Sequence, residues 1–193
     1  MSNIDFNTKK EFIYKAIEDA TNTLRFIDTK VGAILVAAGL VTSLFVNFGS
    51  NIYKIYSYYK NIPLHSSIIG LSVIAYFVFL SLSLYYGFRT LKAANNPMHN
   101  VNNDGYNGTN LWYLLNASDN KISISVNRYN DDLDSIEEDS FIKMLSLELM
   151  KVSAIRNIKI KNVNSTFLWF KLSLAPIFII IAYILFHHSI YLI

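Results

Sequence analysis

Apolar residues recur at alternating steps of four and three through Ile13, Ile17, Ala20, Leu24, Ile27, Val31, Ile34, Ala38, Val41, Phe45 and Phe48. That spacing is a helical stripe of period 3.5. Up to Lys30 the other faces carry Lys15, Glu18, Asp19, Asn22, Arg25 and Asp28; from Val31 onward they are apolar as well. The pattern predicts one helix that begins amphipathic and becomes hydrophobic all round, roughly 54 Å long at 1.5 Å per residue. Its boundary is the step Asp28-Thr29-Lys30. Thr8-Lys9-Lys10-Glu11 fits a capping box, which starts the helix near Thr8 or Lys9.

Residues 31–48 form the first expected membrane span and residues 64–88 the second. Small residues inside them, such as Gly32, Gly39, Ser72 and Ser83, suit close helix packing. Residues 49–63 form a connector with Tyr53, Tyr56, Tyr58 and Tyr59, an aromatic belt at a bilayer edge. A second long helix is expected from Ser135 to about Val163, with a stripe through Phe141, Leu145, Leu149, Val152, Ile155 and Ile158. Residues 167–186 make a third hydrophobic stretch, in which Lys171 can snorkel and Pro176 should kink the helix. Between the second span and that helix the chain is rich in Asn. Ile122, Ile124 and Val126 alternate there, which fits a short strand with a helical turn as the competing reading, and Asp131 to Asp139 make an acidic run that suits a solvated helix start.

The fold class is therefore an all-α integral membrane protein. A long N-terminal helix (residues 1–30) continues into the first span, three transmembrane helices are predicted, and residues 89–166 form a cytosolic helical domain with an Asn-rich insert. Composition agrees: 52% of the residues are hydrophobic and only 16% charged. Cysteine is absent, which excludes a disulfide framework and thiolate metal sites. A net charge of +3 is too small to argue for a nucleic acid polymer. Of the 17 Lys and Arg, only Lys54 and Lys60 lie between the first two spans, and all 14 acids lie elsewhere. The positive-inside rule then sets the N-terminus and residues 89–170 in the cytoplasm, with residues 49–63 and the C-terminus facing out.

The sequence carries no phosphate-binding loop, metalloprotease motif or dinucleotide fingerprint, and its four histidines are scattered. No catalytic residue, metal or cofactor is expected. At the membrane boundary Asp28, Lys30 and Arg89 are the candidates for coupling, with Arg25 or Arg89 as partner for Asp28, because an acid at that depth calls for one. Ile17, Leu24 and Ile27 represent the stripe, which either joins copies of the chain or packs on the protein's own basic helix. In the expected cytosolic part, the aromatics Trp112 and Tyr113 and the cation Arg128 are the candidates for a ligand site.

The run from Ala16 to Ala33, with its Asp28-Thr29-Lys30 step, is similar to the opening of the small membrane effectors of the Pycsar antiphage systems. The segment Phe88-Arg89 to Asn96-Pro97 resembles theirs as well. So does the order of two spans, helical insert, basic helix and last span. The resemblance implies a multi-pass protein of the bacterial inner membrane that responds to a cyclic nucleotide from a partner cyclase. The ligand would be cyclic CMP or cyclic UMP, or a cyclic oligonucleotide. It further implies a homo-oligomer that disrupts the membrane among its lipids and causes abortive infection. A membrane anchor or assembly scaffold, or a holin-like pore former, are the alternatives.

Overall fold

A computed structural model describes residues 4–92, 101 and 125–191, with side chains to 186. Every element among the described residues is a helix: α1 Phe6–Asn47, α2 Gly49–Tyr58, α3 Pro63–Leu91, α4 Val126–Asp134 and α5 Glu138–Tyr191. Three of them, α1, α3 and α5, are long and apolar enough to cross a membrane.

α1 starts earlier than its capping-box sequence suggests. Asp5 does the capping instead: its carboxylate accepts from the Asn7 N–H at 3.2 Å. The helix then runs 42 residues without interruption through Asp28-Thr29-Lys30. Thr29 does not break it, because its hydroxyl donates to the Arg25 carbonyl at 3.0 Å. Ile13, Ala20, Ile27, Val31, Ile34, Ala38 and Phe45 are all buried, so the 3.5-period stripe is the inward face.

The expected connector opens with α2. Ile52, Ile55 and Tyr59 fall three and four apart and turn inward, whereas Tyr53, Tyr56 and Tyr58 stay exposed. Ile55 and Tyr59 pack with Ile69 of α3, and that contact holds the short helix. α3 begins with Pro63 at its first turn, where no amide hydrogen is missed. Its buried face is Ile69, Ser72, Tyr76, Leu80, Ser83, Gly87 and Thr90, while Leu64, Leu71, Ile74 and Phe77 are exposed. Small and polar residues share the inward face with Ile69, Tyr76 and Leu80, while the outward face is large and apolar, as suits a helix solvated by lipid.

The second long helix and the third hydrophobic stretch are one helix of 54 residues. Residues 164–166 separate the two in the sequence, but the hydroxyls there bond back along the helix: Ser165 to the Lys161 carbonyl and Thr166 to the Asn162 carbonyl. Pro176 also stays inside α5. Ile122 and Ile124 lie outside the described residues, and Val126, the third member of the expected strand, opens α4.

The chain divides into two compact units. Unit 1 is Met1–Thr23 with Ala94–Asn157, and unit 2 is Leu24–Ala93 with Ile158–Ile193. α1 and α5 contribute residues to both. The core of unit 2 is Ala38, Phe45, Tyr76, Leu80 and Ile180, with a second cluster of Ile27, Val31 and Val163.

Candidate functional site

Unit 2 is held by polar contacts between its three long helices. Lys159 of α5 donates to both carboxylate oxygens of Asp28 on α1, at 2.6 and 2.8 Å. This replaces the expected pairing with Arg25 or Arg89. Arg25 receives the Thr29 hydroxyl on its carbonyl, and Arg89 is exposed in the last turn of α3, where it favours the helix dipole. Lys159 stands 131 residues from Asp28 along the chain, and no local spacing signals such a partner. Lys30, two residues on, extends its amine to 5.2 Å from the centre of the Phe167 ring. Lys171 reaches the same ring at 4.5 Å.

The three helices come together at Gly87. A Cβ there would meet Leu35 Cδ2 of α1 at 3.0 Å and Thr166 Cγ2 of α5 at 3.6 Å. One turn away the Ser83 hydroxyl donates to the Thr166 carbonyl at 3.0 Å, with both residues buried. Deeper along α1, the Thr42 and Tyr76 hydroxyls bond at 2.9 Å, and Tyr76 is fully buried. His65 Nδ1 and the Tyr183 hydroxyl tie α3 to α5 at 2.9 Å. Tyr59 packs on His65, and its burial, followed by the neighbouring Tyr58 and Tyr183 phenols, pushes its hydroxyl above the ordinary tyrosine range. None of these contacts was legible as a motif, since each joins residues from different helices.

Of the oligomer candidates, Ile27 is buried against Val163 of the same chain, with Leu35 packed beside it. Ile17 and Leu24 are half-buried. An entirely apolar cavity of about 450 Å³ lies between α1, α2 and α5, lined by Leu44, Phe48, Ile52 and Phe178 among others. It offers no donor for a phosphate or a base.

Unit 1 has the chemistry for an anion. Glu148 and Lys151 form a buried ion pair at 3.3 Å. The Arg156 Nε is buried and, among the described residues, has no hydrogen-bond partner. Phe6 and Phe141 face each other at 6.4 Å, and Lys10 lies over Phe6 at 5.8 Å. Arg128 is exposed on α4, and its backbone N–H donates to the Ser125 hydroxyl that caps the helix. Trp112 and Tyr113 lie outside the described residues. The sequence offered no reason to single out Glu148, Lys151 or Arg156, because a basic helix face usually meets water.

A family model described as the Pycsar effector protein domain, PycTM, matches residues 12–186. No curated protein and no solved structure matches the chain.

Proposed function

The chain belongs to the Pycsar effector family, whose role is antiphage defence, and from that membership we propose that it is a membrane effector switched by a cyclic nucleotide. In this reading the nucleotide comes from a partner cyclase and binds unit 1. Bound protein assembles with further copies and disrupts the inner membrane. The chain does no chemistry on its ligand and needs no cofactor.

The observation that carries the reading is the continuity of α1 and α5. Each is a single helix with residues in both units. A ligand acts on such a protein only by binding one state more tightly than another. A stiff helix is the element through which a shift at one end reaches the other. Trp112 and Tyr113 would stack the base and Arg128 would meet its phosphate. Arg156 supplies a further cationic donor in the same unit.

Titration calorimetry of the full-length protein in detergent, against cyclic mono-, di- and trinucleotides, tests the ligand class. One of them should bind, and Arg128→Ala should weaken it by about tenfold, the worth of a charged hydrogen bond. If none binds, the scaffold and holin-like readings replace this one. If Arg128→Ala binds as tightly as the parent, sensing stands and its phosphate contact lies elsewhere.

A further inference from the structure

Unit 2 carries nine Lys and Arg but a single acid, Asp28. Lys159 already engages both oxygens of that acid. Lys30 and Lys171 are each the last charge before a long apolar run, on α1 and α5 respectively. Both are exposed, and among the described residues neither is in an ion pair. Yet both amines lie over one ring, Phe167, at 5.2 and 4.5 Å, so they stand within about 10 Å of each other.

Two like charges gathered on one aromatic repel, and the ring's negative face offsets only part of that. A shared anion between them removes the conflict. Among the described residues no carboxylate pairs with either amine, and Asp28, the nearest in sequence to Lys30, is spent on Lys159. We propose that Lys30, Lys171 and Phe167 form a binding site for the phosphodiester of an anionic phospholipid headgroup. The phosphate sits between the two amines, and the acyl chains run along the apolar faces beneath. Seven residues past each lysine, on the same helical face and about 10 Å deeper, stand Ala37 and Phe178. Alanine leaves room for a chain, and Phe178 is 68% exposed to contact it.

A free phosphate shares the headgroup's chemistry but not its depth. At the edge of an apolar span the lipid phosphate is present at high local concentration, and lysines there draw on the leaflet's negative potential. The site is independent of nucleotide sensing and requires only that the three long helices cross the bilayer.

The test is native mass spectrometry of the full chain from nanodiscs of equal phosphatidylglycerol and phosphatidylcholine. The parent should retain the anionic lipid in preference. Lys30→Gln with Lys171→Gln should lower that preference about tenfold, and Lys30→Arg with Lys171→Arg should restore it. Both lysines are exposed, and the variants leave the Asp28–Lys159 pair in place, so thermal unfolding should remain near the parent's. An unchanged preference in the double Gln variant overturns the site. So does a parent without preference. Inorganic phosphate and cyclic CMP are titrated in lipid-free detergent as the second arm. Binding of either that is lost in the double Gln variant, without displacement by phosphatidylglycerol, overturns the lipid assignment in favour of a soluble phosphate.

Discussion

Asp28 and Lys159 meet at partly buried positions, with the Asp28 side chain 41% exposed and the Lys159 side chain 14%. Solvent screening discounts such a pair, so each single neutralisation should cost about 1 kcal/mol or less. Their coupling is the sharper measure. Asp28→Lys combined with Lys159→Asp should recover thermal stability that either change alone loses, in a double-mutant cycle in detergent. An additive cycle would mean that the two side chains act separately. Gly87 makes a different kind of contact. An added methyl meets the far end of Leu35, a flexible side chain that can yield. Gly87→Ala should therefore be mild, whereas Gly87→Val should cost about 1–3 kcal/mol by overpacking. Leu35→Ala in the same molecule should relieve part of that cost. Equal melting of Gly87→Val and the parent would show that the three helices do not meet tightly there.

The long helices were legible as elements because charge stops abruptly at Lys30 and Arg89 and apolar residues run on for a span's length. Two features were not. α2 was hidden because Gly49-Ser50-Asn51 is a turn-like opening, and its inward face becomes apparent only once Ile69 is there to cover Ile55 and Tyr59. The continuity of α5 was hidden because Asn164, Ser165 and Thr166 are weak helix formers whose amide and hydroxyl groups compete for the backbone. Here those hydroxyls bond to carbonyls four residues back and the helix survives. Lys159 lies in the expected basic helix, but it stands 131 residues from Asp28 and no local spacing marks it as that acid's partner. If unbroken helices carry the signal, breaking one should uncouple it. Thr29→Pro removes an amide donor and clashes with the preceding turn of α1. The variant should still insert into membranes and bind nucleotide, but nucleotide should no longer provoke leakage from liposomes. Leakage equal to the parent's would assign coupling to α5 alone or to another route.

At the level of the whole molecule the family, the helical architecture and the membrane-length helices agree. The sequence made these readable because they rest on long-range composition and period. It could not give the polar ties, which depend on residues far apart in the chain. The stripe on α1 illustrates the same limit. Its period was plain, but whether it faced another copy or the same chain was open, and Ile27 and Val31 pack on Val163 of α5. Assembly would then draw on the apolar faces left outside, such as Val36, Leu40 and Phe178. If the basic residues set the orientation, reporter fusions after Tyr56 should read periplasmic and fusions near Asn120 cytoplasmic. The reverse pattern would set unit 1 on the side away from any cytoplasmic nucleotide. The central claim is tested most directly by dye release from liposomes that hold the purified full-length protein. Release should begin on addition of one cyclic nucleotide and stay at background without it. Equal release with and without every nucleotide tried would contradict a ligand-switched effector.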